Sequence, residues 1–268
     1  MRALEHIRRM RGGSQPHLLR CRELSGSDAY YVVKFRENPQ HRRLLANEWL
    51  AASLARKLGL PVPEMAVINV SAGLIERSSE LVIQRAHGRT RLVPGLQFGS
   101  RYPGDPERFT VYDTLPEQLL GQVGNVKDFL GMLVFDKWTC NTDKRQVIFC
   151  RSSAASPFRA LMIDHGLCFN GAEWNFPDAP LRGLYAWAGV YEFVTGIESF
   201  EPWLDKLETG LTERDMEEAL TQMPSEWYDS DGEPLRQLLN RLWDRRSCVR
   251  DLIVAAKDTY RQPFPHWR

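Results

Sequence analysis

The stretch from residue 141 to 166, NTDKRQVIFCRSSAASPFRALMIDHG, contains two short apolar runs. One aspartate precedes the first run and another follows the second. Residues 147–150 and 160–163 are predicted strands, because both runs are short and apolar and a polar loop separates them. If they pair as a hairpin, Asp143 before the first strand and Asp164 after the second come together at one end. The sequence therefore predicts that two carboxylates face one point of the fold.

Two neighbouring carboxylates repel each other unless a cation or a shared proton relieves the repulsion. An oxygen-rich site with few protein ligands is typical of Mg²⁺ carried by nucleotide phosphates. Asn141 and Gln146 are candidate metal ligands beside Asp164, because each offers a neutral oxygen. The alternative is a polar loop in which Asp143 and Asp164 serve only as helix or turn caps.

The N-terminal part of the chain has the pattern of a small sheet with one helix. Residues 17–24 and 29–35 flank a polar, Gly-containing turn and predict a β-hairpin. Residues 40–58, rich in Leu and Ala, predict a helix. Further strands are expected near 65–70 and 79–85, which gives the order β-β-α-β-β.

Glu48 is predicted on the apolar face of that helix, in register with Leu44 and Ala52. An unpaired carboxylate is costly to desolvate, so Glu48 needs a cation, and Lys34 on the adjoining strand is the nearest candidate upstream. The alternative is that Glu48 lies at the edge of the apolar face and reaches water.

A stretch rich in Gly and Pro follows, and the chain then becomes mainly helical. We therefore expect an α+β fold in which residues 1–86 form a β-rich N-lobe and residues 87–268 a mainly helical C-lobe. The predicted helices of the second lobe are 116–123, 126–138, 184–195, 200–209, 212–222 and 233–259.

Composition excludes several classes of protein. Thirty-five Lys and Arg balance 34 Asp and Glu among 268 residues, so no global field attracts nucleic acid or an anionic membrane. The basic run 8–11 is interpreted as a solvated face. Five cysteines without a C-x-x-C pair argue against a disulfide framework or a closed zinc site and fit a reducing cytosol. The longest apolar run, 129–135, is too short to span a bilayer.

Common nucleotide-binding and hydrolase motifs are absent from the sequence. There is no G-x-x-x-x-G-K-[ST] and no G-x-G-x-x-G, which disfavours P-loop and dinucleotide-binding folds. Neither H-E-x-x-H nor G-x-S-x-G occurs, so a zincin or a nucleophile-elbow hydrolase has no support.

Short motifs over about residues 10–170 together resemble, in order and spacing, the landmarks of HipA-like kinases. They are Gly12-Gly13-Ser14-Gln15-Pro16, Tyr31-Val32-Val33-Lys34-Phe35, Asn47-Glu48 before Leu58-Gly59-Leu60-Pro61-Val62-Pro63, Asn141-Thr142-Asp143, and Ile163-Asp164-His165-Gly166. The resemblance implies a bilobal protein-kinase-like fold that binds ATP and Mg²⁺ between the lobes.

The same resemblance implies a role for each matched residue. Lys34 would hold the α- and β-phosphates, and Glu48 would position Lys34. Asp143 would accept the proton of the acceptor hydroxyl, and Asp164 would bind Mg²⁺. The residues expected to bind the nucleotide are Gly12, Gly13, Ser14, Gln15, Lys34 and Gln84.

One position departs from the family pattern. HipA-like kinases have a metal-binding asparagine five residues after the catalytic aspartate, and here that residue is Ile148. Gln146 is the candidate replacement. If Gln146 does not replace it, one metal site is weak or missing, and the protein is slow, uses another metal, or is a pseudokinase.

Two further hypotheses concern the loop and the segment after Asp164. The position of Ser14 in the expected phosphate loop suggests that the protein phosphorylates this serine itself. The simpler alternative is that Ser14 is only a small residue suited to a loop. The aromatic segment 173–185 is either a substrate surface or a set of packing anchors.

The function expected from the sequence is phosphorylation of a protein serine or threonine in the cytosol. The alternatives are a kinase of a small-molecule or RNA hydroxyl, and an ATP-binding pseudokinase with a regulatory role. An antitoxin-like partner is suggested by the family resemblance, and the chain itself contains no helix-turn-helix pattern that would bind nucleic acid directly.

Overall fold

The computed structural model describes residues 1–268. The strands are β1 (Arg2–Arg9), β2 (His17–Arg22), β3 (Asp28–Lys34), β4 (Met65–Val70), β5 (Val82–Arg85), β6 (Gly88–Arg91), β7 (Gly95–Arg101), β8 (Val111–Tyr112), β9 (Gln146–Cys150) and β10 (Arg159–Ile163). The α-helices are α1 (Leu44–Lys57), α2 (Ala72–Arg77), α3 (Asp128–Thr139), α4 (Glu201–Asp205), α5 (Glu213–Thr221), α6 (Gly232–Arg245) and α7 (Val249–Lys257). A π-helical turn (Lys206–Gly210) directly follows α4.

Five of the strands close into a small barrel in the order β1-β2-β3-β7-β4. Neighbours in the barrel are antiparallel, apart from one parallel pair, Arg2 with Asn69, where β1 meets β4. A separate antiparallel sheet has the order β10-β9-β8, and β5 pairs with β6. The expected hairpin of β2 and β3 is present, and the sequence analysis missed the strand β1.

Strand β7 extends the barrel beyond the predicted lobe boundary at residue 86, because it lies between β3 and β4. The sequence pattern did not predict β7 because this strand contains two glycines, and glycine is uncommon inside strands. Gly99 is required by a close contact: a Cβ there would lie 2.5 Å from Cγ1 of Ile68. The packing that needs glycine therefore also weakened the sequence signal.

Several predicted helices differ from those in the structure. The region of the barrel has a second, short helix, α2, where the sequence analysis expected one helix in all, and Ser71 caps it by accepting a hydrogen bond from the Leu74 amide. Within 184–195 only a 3-10 turn, Ala188–Tyr191, forms. The last predicted helix is divided into α6 and α7 by a 3-10 turn at Arg246–Cys248.

Buried apolar side chains form two clusters. The smaller cluster of 15 residues fills the barrel and its surroundings, and the larger cluster of 49 residues fills the helical part. Helix α3 is buried along nearly its whole length, from Phe129 to Thr139. Helix α1 comes from the N-terminal third of the chain, yet its apolar side chains belong to the larger cluster. This helix therefore links the barrel to the helical part.

None of the helices combines the length and the apolar character that crossing a bilayer requires.

Candidate active site

A cavity of about 680 Å³ lies between the barrel and the sheet of β8, β9 and β10. Its lining includes charged residues from both sides, namely Arg8, Arg9, Arg11, Lys34, Glu48, Arg101, Asp113, Arg145 and Asp164. Its apolar lining includes Val32, Val62, Met65, Phe98, Ile148 and Met162. The cavity thus combines an apolar wall with a concentration of charge.

Lys34 forms salt bridges with both Glu48 and Asp164 in the lining of this cavity. Lys34 Nζ donates to Oε1 of Glu48 at 2.5 Å and to Oδ1 of Asp164 at 2.8 Å. The Glu48 side chain is only 2% exposed, so it does not reach water, and its partner is the lysine that the sequence analysis named. Asp164 is 130 residues from Lys34 in the chain, and the fold brings the two together.

Burial and the opposite charges of the neighbouring groups together shift the pKa values of these three side chains. Burial alone would lower the pKa of Lys34, but Asp164 and Glu48 outweigh it and raise the pKa. The ammonium group of Lys34 lowers the pKa of Asp164 to about 2, against the opposing effect of burial. Burial raises the pKa of Glu48, and Lys34 opposes that rise. At neutral pH the lysine is therefore a cation and Asp164 an anion.

The backbone at Asp164 is in the left-handed region, with φ of 59°. Asp tolerates this conformation better than most residues, but it is still unfavourable. Close packing follows two residues later: a Cβ on Gly166 would lie 2.8 Å from Cδ1 of Leu44 and 3.2 Å from Oε1 of Glu48. The glycine of the Asp-His-Gly motif thus lets the chain after Asp164 approach helix α1.

The loop that carries Asp143 begins where Cys140 ends α3 in the left-handed region. Asn141 is 1% exposed; its Nδ2 donates to Oδ1 of Asp136, and its Oδ1 accepts from the Asp143 amide at 3.1 Å. The loop therefore uses both ends of the Asn141 carboxamide, and the role of Asn141 as a metal ligand stays a prediction.

Asp143 lies at the same end of the β9–β10 hairpin as Asp164, because Gln146 pairs with Ile163. Its Oδ1 accepts from the Lys144 amide at 2.8 Å, and its Oδ2 accepts from Nε2 of Gln146 at 3.1 Å. Gln146 lines the cavity, and this bond leaves its amide oxygen available. Gln146 is thus placed both to orient Asp143 and to offer an oxygen to a cation.

The sequence analysis missed the ion pair that holds this loop. The Arg145 side chain contacts both carboxylate oxygens of Asp136, and the two side chains are 1% and 0% exposed. Arg145 also donates to the Ile163 carbonyl at 2.9 Å, next to Asp164. Arg145 therefore connects α3, the Asp143 loop and the residue before Asp164.

The turn from residue 12 to 15 joins β1 to β2. Gly12 and Ser14 line the cavity, and Ser14 is only 3% exposed. Gln15 instead holds the turn against β5: its Nε2 donates to the Gln84 carbonyl at 2.8 Å, and its Oε1 accepts from the Gln84 amide at 2.7 Å. Gly13, Gln15 and Gln84 do not line the cavity, so the structure separates them from Gly12 and Ser14.

The basic run at the end of β1 was interpreted as an ordinary solvated face, but it borders the cavity. Arg8, Arg9 and Arg11 are exposed members of its lining, and none forms a salt bridge. The alternation of side chains along a strand could not reveal this, because it indicates on which face of the strand a residue lies but not which part of the fold that face contacts.

The aromatic segment after Asp164 divides into two parts. Trp174 is 4% exposed, with the Arg43 guanidinium 3.9 Å from its ring, and Arg245 lies over Phe176. These two aromatics are packing anchors. Tyr185 lines the cavity instead, as does Trp187 two residues beyond the segment, which is 39% exposed.

The donor set suits a cation that arrives with phosphates. No group of three His, Cys, Asp or Glu side chains forms a complete metal cage. The carboxylate of Asp164 has one oxygen on Lys34 and the other without a hydrogen bond, and Gln146 adds an amide oxygen. Mg²⁺ typically takes one or two carboxylates, with substrate phosphates and water completing its shell. Asp164 and Gln146 fit that requirement.

Comparison with solved structures shows a protein-kinase-like fold. The chain aligns with the Helicobacter pylori proinflammatory kinase CtkA at 15% identity and a TM-score of 0.59, covering 94% of both chains. It aligns with the Golgi casein kinase with Mn/ADP bound at 12% identity and a TM-score of 0.51, covering 96% of this chain and 74% of the other. It aligns with HipA of Shewanella oneidensis, solved with HipB and operator DNA, at 11% identity and a TM-score of 0.52. That alignment covers 94% of this chain and 68% of the HipA chain.

One of two comparisons at the level of sequence identifies the family. The chain has no match among curated protein sequences. The sequence profile of HipA-like kinases matches residues 4–251, which is nearly the whole chain. The protein therefore belongs to the HipA-like kinase family.

Proposed function

We propose that the protein is an ATP- and Mg²⁺-dependent phosphotransferase that acts on a serine or threonine hydroxyl of a protein. The observation that carries the proposal is the position of Lys34, whose Nζ bridges Glu48 and Asp164 within the cavity. A fixed cation beside a carboxylate with a free oxygen suits a phosphate chain and its metal. The Asp143–Gln146 pair lies at the same end of the adjoining hairpin.

Each residue has a distinct part in this proposal. Lys34 contacts the α- and β-phosphates, and Glu48 keeps its ammonium group in place. Asp164 and Gln146 hold the divalent cation, which supplies neutralisation of the phosphate charge when it is bound. Asp143 accepts the proton of the attacking hydroxyl at a carboxylate oxygen while Gln146 orients it.

The remaining walls suit the rest of a nucleotide. Val32, Met65, Phe98 and Met162 form an apolar surface on which a purine ring can lie. Arg8 and Arg9 of β1 and Arg11 just after it, which have no carboxylate partners, add positive charge at the same cavity. Positioning and charge neutralisation supply most of the rate in phosphoryl transfer, and this arrangement provides both.

A pseudokinase is the second candidate, and one observation favours it. Ile148, which lines the cavity, stands where the family pattern has a metal-binding asparagine. In that case the protein binds nucleotide without transferring phosphate. The other alternative, a kinase of small-molecule or RNA hydroxyls, shares every residue above and differs only in the acceptor.

Labelled ATP with Mg²⁺, and in parallel with Mn²⁺, tests the proposal. We expect transfer of label to protein in a lysate, and a loss of about 10²–10⁴-fold in the Asp143→Asn variant. Asp251→Asn in α7 is the matched control, because Asp251 is exposed and has no salt bridge. Nucleotide binding without transfer under both metals would favour the pseudokinase, and label found only on RNA or small molecules would replace the protein acceptor.

The cellular setting belongs to the same proposal. All five cysteines are free, and four of them are buried, which suits a reducing cytosol. A DNA-binding antitoxin is the proposed kind of partner, because the HipA relative was solved with HipB and operator DNA. Affinity capture followed by identification of a co-purifying DNA-binding protein tests this part.

A further inference from the structure

Asn47, the residue before Glu48, has no role in the proposed chemistry, yet its side chain bonds three backbone carbonyl groups. Asn47 is 1% exposed in α1. Its Nδ2 lies 2.9 Å from the Gly166 carbonyl oxygen, 3.1 Å from that of Cys168 and 2.8 Å from that of Gly171. An amide has two N–H groups for these three acceptors, so one bond is shared. Asn47 therefore binds three carbonyl groups of the bend that follows Asp164 in the chain.

The other end of the same carboxamide is also used. Oδ1 of Asn47 accepts a hydrogen bond from Nε1 of Trp174 at 2.7 Å. Arg43, one turn earlier in the chain, lies over the Trp174 ring and contacts the Ala172 carbonyl. Arg43 at the N-cap of α1 and Asn47 one turn later thus fasten residues 166–174.

Consecutive residues of α1 approach Asp164 from two directions. Glu48 reaches the Asp164 side chain through Lys34, and Asn47 holds the backbone that follows Asp164. The left-handed backbone of Asp164 needs such support, since a strained conformation persists only where its surroundings fix it. The segment 165–184 has no Ser, Thr or Tyr, so a phosphorylated hydroxyl within it plays no part in holding it.

We propose that Asn47 is a positioning residue for Asp164: it fixes the carbonyls of Gly166, Cys168 and Gly171, and so keeps the Asp164 carboxylate in place at the cavity for a divalent cation. The hydrogen bonds of Asn47 by themselves support its holding of residues 166–174. The effect on metal binding rests on the proposed function.

Two variants separate the functions of the carboxamide. Asn47→Ala removes all four contacts, whereas Asn47→Asp keeps the shape and the acceptor for Trp174 but loses the donors. Trp174→Phe removes the indole N–H together with part of the ring system, and keeps an aromatic ring beneath Arg43. The matched control is Asn125→Asp, because Asn125 also bonds backbone groups, the amide and carbonyl of Ala160 in β10, but none within residues 166–174.

Two measurements are made on each variant. Hydrogen exchange of the free protein reports on the amides of residues 166–174, and calorimetry gives the affinity for ADP with and without Mn²⁺. We expect faster exchange confined to that segment in both Asn47 variants. We also expect a loss of about 10- to 100-fold in affinity for Mn²⁺ with ADP, while affinity for ADP alone changes little. Trp174→Phe should have the smaller effect.

The outcomes are distinguishable. A general loss of stability, with equal losses for ADP with and without Mn²⁺, would make Asn47 merely structural and overturn the inference. So would unchanged affinity in both variants, or an equal loss in Asn125→Asp. If the unsubstituted protein binds no Mn²⁺ with ADP, the proposed function fails, and hydrogen exchange alone then decides whether Asn47 holds the segment.

Discussion

Arg145 and Asp136 form an ion pair that is sealed from solvent beneath the loop carrying Asp143. The Asp136 carboxylate accepts from the Arg145 guanidinium through both oxygens, and also from Asn141 Nδ2. One buried carboxylate thus binds both the residue that opens the loop and the residue that closes it. The loop is held by charge as well as by the hairpin.

Breaking this pair should destabilise the protein strongly. We expect Asp136→Asn to lower the free energy of unfolding by about 3–5 kcal/mol, because the Arg145 cation remains buried without its partner. Urea unfolding followed by circular dichroism measures the change. Glu201→Gln is the control, since Glu201 pairs with Arg250 at the surface and should matter far less. Comparable losses in both variants would contradict the prediction.

Acid should weaken the ion pair of Lys34 and Asp164 in a defined range. A carboxyl whose pKa is lowered by folding stabilises the protein above its unfolded pKa, about 3.9 for Asp, and this contribution is lost as pH falls through the folded value. The folded pKa of Asp164 is about 2 because of Lys34.

We therefore expect the free energy of unfolding to fall more steeply between about pH 4 and pH 2 in the unsubstituted protein than in Asp164→Asn. Urea midpoints measured across this range give the two slopes. Parallel curves would mean that Asp164 does not carry the ion pair in solution.

Removing Gln146 should change metal dependence more than nucleotide affinity. Gln146→Ala loses both the amide that orients Asp143 and the oxygen offered to the cation. We expect the half-saturating Mg²⁺ concentration for phosphoryl transfer to rise at least about 10-fold. The control is Gln237→Ala, because Gln237 makes a similar exposed bond to Glu233 in α6. An unchanged metal titration would remove Gln146 from the site.

Self-phosphorylation of Ser14 requires the turn at 12–15 to move, because Ser14 is buried. Two hydrogen bonds between Gln15 and the Gln84 backbone hold that turn. We expect Gln15→Ala to increase the rate at which intact mass rises by one phosphate after incubation with ATP, and Ser14→Ala to abolish the increase. No added phosphate in an otherwise active enzyme would discard the hypothesis.

The pairing of Lys34 with Glu48 could be predicted from the sequence, because a carboxylate on an apolar helix face needs a nearby cation. The convergence of Asp143 and Asp164 followed from hairpin geometry, since strands 147–150 and 160–163 were recognised by their apolar runs. Strand β7 could not be found in the same way, because Gly99 satisfies a contact with Ile68 that lies 31 residues earlier in the chain.

Asn47 had no sequence signal beyond its place beside Glu48. Its partners are carbonyl oxygens of Gly166, Cys168 and Gly171, and backbone acceptors are the same for every residue type. The hydrogen bonds of Asn141 and Gln15 had no sequence signal for a related reason: both are polar loop residues, and only the structure shows that their amides bond to the loop and to β5.

The sequence alone determined which residues carry charge on apolar faces and which strands are adjacent in the chain, because burial costs and hairpin pairing act locally. It therefore specified Lys34 with Glu48, the Asp143–Asp164 hairpin and the family. Tertiary structure decided that Asp164 joins Lys34 across 130 residues, and that arginines of β1 border the cavity. These contacts arise from barrel closure and from the packing of α1 against distant backbone, and neither leaves a local pattern in the sequence.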